Sequence, residues 1–399
     1  MVLAGGEGKR LWPLTADRAK AAVSFGGSFR LVDVVLSNLV NSGYRRIFIL
    51  TQYKSHSLNR HITSSWRMSL LLDAGVYTVP AQQRLGPRWY KGSADAIYQS
   101  LNLVYDDSPD YLIVLGANHI YQMDLSEMVA DHISSRADVT VAGVKAWGCE
   151  SATFGFVRTD GRRIITRFLK KPSHTIGAWG QPDTTYASMG NYVFTTSALI
   201  SALNADAADE NSLHDLGNSI VPLLASRGRA SIYDFARNII PGSTDVDRSY
   251  WRDVSTLNEY YAAHLDLLTD ERHINLYNRE WPIFTWPGVV APAQITEGGA
   301  AQDSLIGAGT SIIGAAVHRS VVSHNVRIEA GSRVENSIIL PGVRIGRDTV
   351  ISNTILDKNV TVTDGATIGV EGGSVTRGLR AHEHGITVIG KGGIVGCLS

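Results

Sequence analysis

From about residue 300 onward the chain repeats itself. Val322, Ile328 and Val334 are followed by Ile339, Ile345 and Ile351, and then by Leu356, Val362 and Ile368, each 17 positions after its counterpart. Neighbours within each set stand six residues apart, and five separate one set from the next. Helical periodicity is absent here, and Ile, Val, Gly and Ser recur in short units. A unit this short cannot bury a face alone, so successive units must stack to enclose one continuous core. Three inward aliphatics per unit describe three short faces, a triangular β-helix. Ser337-Ile338-Ile339 and Thr354-Ile355-Leu356 head successive coils. A β-sandwich with regular turns is the weaker alternative, because sandwiches rarely hold one repeat length over three units.

Up to about residue 270 the pattern is different. Residues 45–50, 111–115 and 139–144 are short apolar runs that read as buried strands. Between them lie helical stripes: Leu31, Val34, Val35 and Leu39, closed by Gly43, and then Leu125, Met128, Val129, His132 and Ile133. Strand–helix alternation predicts an α/β domain, Rossmann-like, with a mainly parallel sheet covered on both faces. Ligands are then expected at the carboxyl ends of the strands. The expected division is therefore an α/β domain over 1–270, a connector over 271–300 with Trp281-Pro282 and Trp286-Pro287, and the β-helix over 301–399.

Charge excludes some partners. Lys+Arg and Asp+Glu are each 37, a formal net charge of zero, so neither nucleic acid nor an anionic membrane is the expected partner. The two cysteines, Cys149 and Cys397, are far apart and accompany no metal-ligand spacing, which suits a reducing, cytoplasmic setting. Neither a signal-peptide pattern at the N-terminus nor an apolar run long enough to span a membrane is found in the sequence.

The segment Leu3-Ala4-Gly5-Gly6-Glu7-Gly8-Lys9-Arg10-Leu11 follows the first strand directly. It lacks the Gly-Lys-Ser/Thr ending of a Walker loop. Its glycines let backbone N–H groups close on phosphate oxygens, and Arg10 supplies positive charge. Taken with Leu14 to Lys20, Phe25-Gly26-Gly27, Ala81-Gln82-Gln83-Arg84, Trp89 to Asp95, Ser188 to Tyr192 and Tyr250 to Val254, this segment resembles the bacterial ADP-glucose pyrophosphorylases, the actinobacterial branch most. The resemblance runs over essentially the whole chain and implies a left-handed β-helix for the C-terminal half.

It also implies a reaction. The phosphate of a sugar 1-phosphate attacks the α-phosphorus of a nucleoside triphosphate, ATP by preference, and pyrophosphate leaves. Such a displacement needs positioning and charge neutralisation. Arg10 and Lys20 match the family's cationic clamp; Leu3, Ala4, Gly5, Gly6, Gln82, Gln83, Tyr90 and Gly92 match its nucleotide-binding segments. Lys171, Ser188, Tyr192 and Trp251 match the sugar-phosphate side, and Asp253 matches one of two aspartates that hold Mg²⁺. Thr256 and Glu259 offer a capping box for the following helix, which leaves Asp253 available for a metal. A homotetramer regulated by metabolites between the two domains is implied by the resemblance alone.

The chain departs from the family close to this site. Asn118, in Gly116-Ala117-Asn118-His119, stands where the second metal-binding aspartate is expected, so the Mg²⁺ site should be weakened. Lys170, before Lys171-Pro172, replaces a glutamate that accepts hydrogen bonds from sugar hydroxyls; lysine can only donate. Ala21, Ser255 and the end of His214 to Ser219 differ as well. Divergence on the acceptor and metal side points to a paralogue that takes a modified acceptor, such as a cyclitol phosphate in natural-product synthesis. The alternatives are an ordinary glucose-1-phosphate adenylyltransferase of glycogen synthesis and a non-catalytic nucleotide-binding regulatory subunit. His382-Glu383-His384 reads as an exposed turn in preference to a chelate.

Overall fold

The computed structural model describes the chain except residues 69–73, 85, 146–154, 171–184, 246, 270–272, 287, 371–379, 382–384 and 397–399. Cys149, Cys397, Lys171 and His382 to His384 lie outside the described residues.

The apolar runs of the first half become one nine-stranded sheet. Strands Gly75–Pro80, Arg46–Thr51, Val2–Leu3 and Tyr111–Gly116 lie side by side and parallel. The long strand Thr185–Thr195 runs against them. On its other side Val139–Lys145 and Ala230–Asp234 restore the first direction. A hairpin of Gly155–Thr159 and Ile165–Lys170 completes the sheet. The sheet is mainly parallel, as the strand–helix alternation requires. Because Val2 pairs with both Ile49 and Leu115, the Gly5-Gly6 turn, Gln52 and Asn118 all emerge at one carboxyl edge.

Helix Leu31–Asn41 is buried from Leu31 to Leu39, and Gly43 ends it at a φ of 88° that favours glycine. Helix Leu125–Ser135 starts on Asp124, whose carboxylate accepts from the Ser126 N–H at 2.8 Å. Here the expected stripe is corrected at its end: Ile133 is 47% exposed, while His132 is buried and bonded to the Thr140 hydroxyl at 2.8 Å. Among the described residues no helix is long and apolar enough to cross a membrane.

The second half is a three-sided β-helix with three parallel stacks of short strands. Val321 pairs with Ile338 and Ile338 with Ile355; on another face Ile328 pairs with Ile345 and Ile345 with Val362. All nine repeat aliphatics are buried, at 2% exposure or less. A corner ladder of hydroxyls joins the coils: the Ser320, Ser337 and Thr354 amides donate to Ser304, Ser320 and Ser337 at 3.1, 3.0 and 3.2 Å. The first stacked strand is Gln294–Thr296, so coiling begins inside the stretch read as connector. The step is not constant: Leu305 pairs with Val321 and Ile312 with Ile328, 16 residues on, while Ile355 pairs with Val388 and Val362 with Val395, 33 residues on.

One apolar cluster belongs to both halves. Leu11, Leu14, Val23, Phe25, Val254 and Leu257 pack with Ile338, Ile355, Ile386 and Val388 of the β-helix. Within it Arg18 is ion-paired with Asp357, and both are buried. Burial pushes the Asp357 carboxyl up and the Arg18 guanidinium draws it back; the balance remains above the usual value. Beside it Lys358 is pushed down to about 7, first by burial and then by Arg30 and Arg18.

Asp357→Ala should destabilise the protein by about 3–5 kcal/mol, because it leaves Arg18 buried without its partner. Urea unfolding measures this, and Asp357→Leu with Arg18→Met should recover much of the loss. For Lys358 the folded value is below the ordinary 10.5, so between about pH 7 and 10.5 the unfolded chain holds a proton that the folded chain has released. Stability from this residue therefore rises with pH across that window. Lys358→Met should raise the melting temperature at pH 6 and lose that advantage towards pH 10.5.

Candidate active site

The carboxyl edge of the sheet opens into a cavity of about 560 Å³. Leu3, Gly5, Gly6, Gln52, Tyr90 and Gly92 line it together with Asn118, His119, Tyr192, Asp215 and Gly217. Close approach forces the glycines. At Gly92 a Cβ would sit 2.3 Å from the His214 carbonyl oxygen, which itself accepts from the Ala94 N–H at 2.8 Å. Gly8 has a φ of 69° and a virtual Cβ 3.2 Å from the Lys20 Cβ, so the Gly-rich turn packs directly against the lysine.

Asp253 is the centre of the polar cluster beside this cavity. The Asn118 Nδ2 donates to Asp253 Oδ1 at 2.7 Å, and the Ser255 Oγ lies 2.5 and 2.6 Å from Oδ1 and Oδ2. Lys20 Nζ donates to Ser255 Oγ at 3.0 Å and is 3.9 Å from Asp253 Oδ1; His119 Nε2 is 3.6 Å from the same oxygen. Burial would raise the Asp253 carboxyl, but His119, Lys20 and the bonds from Ser255 and Asn118 hold it below the usual carboxylate value. Burial brings Lys20 down to about 8, against the pull of Asp253 and with Arg10 pushing the same way. Burial also takes His119 to about 4, so its imidazole is neutral at pH 7 and Lys20 is the cation facing Asp253.

The other expected residues are distributed unevenly. Ala4 is buried behind the Gly turn, its N–H on the Leu50 carbonyl at 2.9 Å. Arg10 is exposed on the short turn Lys9–Leu11. Gln82 and Gln83 are exposed and do not line the cavity; the Gln82 amide turns back onto the Pro80 carbonyl at 2.7 Å, and Gln83 has a φ of 52°. Gln52 takes the place on the wall instead, accepting from the Tyr90 N–H at 2.7 Å. Ser188 is buried behind Tyr192, its hydroxyl accepting from the Gly190 N–H at 3.3 Å. Trp251 is half-buried with its ring tilted against His119, centroids 5.5 Å apart. Lys170 ends the strand Ile165–Lys170, where its backbone pairs with Gly155.

Sequence reasoning missed Gln52, Ser93 and Asp215. Asp215 accepts from the Ser93 hydroxyl at 2.8 Å and from the Asn218 N–H at 3.0 Å, which ties two segments of the lining together. An aspartate three residues before Asn218 at a helix start was the available signal.

The residues present do not fit a divalent cation. The Thr256 hydroxyl does cap its helix, accepting from the Glu259 N–H at 3.2 Å, but the Glu259 carboxylate is bonded to Arg252 at 2.8 Å. Asp253 is not left available by this: both its oxygens face donors. Among the described residues no group of three His, Cys, Asp or Glu converges on a point.

Gly92→Ala should cost about 1–3 kcal/mol through overpacking and should deform the cavity lining; thermal denaturation measures it.

A family model described as nucleotidyl transferase matches residues 1–270, and one described as GlmU-like C-terminal hexapeptide matches 287–389. A glucose-1-phosphate adenylyltransferase of Parafrankia sp. is 56% identical over 98% of this chain and 97% of its own length. Those of Corynebacterium diphtheriae and Mycolicibacterium smegmatis are each 52% identical, over 99% and 98% of this chain and 93% and 97% of their own lengths. The chain therefore belongs to the nucleotidyl transferase family and, within it, to the glucose-1-phosphate adenylyltransferase family of two-domain enzymes.

Proposed function

We propose that the chain transfers an adenylyl group from ATP to glucose 1-phosphate. The observation that carries this reading is that one cavity is lined by the Gly5-Gly6 turn and Tyr90 together with Asn118, His119, Tyr192 and Asp215. Relatives of 52–56% identity that bear the adenylyltransferase name support glucose as the acceptor more than a modified one.

In this reading backbone N–H groups at Leu3 to Gly6 bind phosphate oxygens, while Gln52, Tyr90 and Gly92 flank the base. Arg10 and Lys20 neutralise the triphosphate. Tyr192, Ser188 and Trp251 serve the acceptor side together with Lys170 and Lys171. An oxygen of the acceptor phosphate forms a bond to the α-phosphorus as the α–β bridging bond breaks, and pyrophosphate carries away the electron pair. The nucleophile is already an anion, so no general base is needed. Catalysis rests on alignment and on cations beside the developing charge. No step is routed through a metal on Asn118 and Asp253. Both substrates are charged phosphates, which places the reaction in the cytoplasm where they are made, and a homotetramer belongs to the same reading.

Asn118 and Lys170 favour one second reading, a cyclitol phosphate as acceptor. Pyrophosphate release with ATP separates the two. Turnover with glucose 1-phosphate supports the first; turnover with cyclitol phosphates alone supports the second; none with any acceptor moves the chain to a nucleotide-binding subunit. Lys20→Ala should lower kcat by about 10²–10³-fold in the active case, the loss expected on removing one positioned charge stabiliser.

A further inference from the structure

Ser255 stands between Lys20 and Asp253, and its hydroxyl orders the whole cluster. A carboxylate can only accept hydrogen bonds, and an ammonium can only donate them. The 3.0 Å contact therefore runs from Lys20 to the Ser255 oxygen, and the Ser255 proton runs on to Asp253. By the same logic Asn118 must turn its NH₂ to Asp253, which leaves its carbonyl oxygen facing away. That oxygen lies near Gly116, 3.3 Å from where a Cβ would stand.

A hard divalent cation needs several oxygens whose lone pairs converge on it. Around Asp253 the converging atoms are hydrogens: two from neutral groups and, behind them, an ammonium. The oxygens of Asn118 and Asp253 do not share a point. Charge tells the same story. Lys20 contributes one positive charge and Asp253 one negative charge, while Asn118 and Ser255 contribute none. The cluster is neutral as it stands; an acid at position 118 would give it the excess negative charge that attracts a cation.

Resting on the nucleotide reading of the cavity, we infer that this chain engages its nucleoside triphosphate without a divalent cation on Asn118 and Asp253. The Lys20 ammonium, fixed by Ser255, takes the charge-neutralising role beside the phosphates. Ser255 is a positioning residue in this arrangement, acting through Lys20 and Asp253. It belongs with Asn118: removing the acid and adding the hydroxyl convert a cation-attracting pair into a closed hydrogen-bonded one.

The test is the affinity of the full chain for ATP by calorimetry, in millimolar MgCl₂ and again in EDTA. The two dissociation constants should agree within about threefold for the wild type, whereas Asn118→Asp with Ser255→Gly should bind about tenfold more tightly with Mg²⁺ than without it, the scale on which ligand-shell changes alter metal affinity. Mn²⁺ titration followed by EPR adds a direct reading: a stoichiometric site is expected in the double variant and not in the wild type. A structural effect of the substitutions alone would not create that site. Wild-type affinity that falls about tenfold or more in EDTA would overturn the inference and leave the nucleotide reading intact. Absence of ATP binding in both buffers would overturn the nucleotide reading and this inference with it. Should the double variant fail to fold, the wild-type comparison and its Mn²⁺ titration decide the matter alone.

Discussion

Where Lys20 and Ser255 stand beside the cavity depends on the apolar seam between the α/β domain and the β-helix. Leu14 and Val23 bracket Lys20 in sequence, and Val254 and Leu257 bracket Ser255; all four are buried in the cluster that also holds Ile338, Ile355 and Val388. Two chain segments more than two hundred residues apart are thus pressed onto the same face of the β-helix. Lys20 and Ser255 meet because each hangs from a strip of that seam. The buried Arg18–Asp357 pair lies in the same layer and restricts how the two halves can slide, since either charge alone there would be uncompensated.

This explains how a β-helix that contributes nothing to the cavity wall still bears on the chemistry. The Gly-rich turn is tied to the sheet through the Ala4 N–H and the Leu50 carbonyl, whereas the lysine it packs against is tied to the seam. Alignment of the Gly-turn backbone with the Lys20 ammonium is then a property of the joined molecule. Removing bulk from the seam would loosen one without the other, and a few tenths of an ångström count where charges must face a transferring phosphoryl group.

The sequence pattern revealed the architecture far better than the wiring of the site. The repeat of the β-helix was readable because each short strand buries one side, so aliphatics must recur wherever the coil returns. The sheet was readable from apolar run length and the intervening helical stripes. What failed was local and side-chain specific. His132 rather than Ile133 faces the sheet because Thr140 offers the imidazole a partner, and a hydrogen bond leaves no trace in apolar periodicity. Gln82 and Gln83 carry the family motif, yet Gln52 on the neighbouring strand reaches the wall, since strand register decides which amide enters the cavity. The departure at position 118 was visible in sequence, but the closure of the network by Ser255 required coordinates. Capping of the helix by Thr256 suggested an unengaged Asp253, and a hydroxyl two residues away engaged it.

The long step in the β-helix has a consequence of another kind. Pairing jumps by 33 residues from Ile355 to Val388 and from Val362 to Val395, yet the strands on either side meet in register. The stack therefore keeps its register although more chain separates these strands than any shorter step requires. A coil bonded only to the coils above and below can tolerate such a detour, because no distant strand must shift to accommodate it. The C-terminal half can thus take up added length between stacked coils, and with it new surface, provided that Ile386 and Val388 still close the seam.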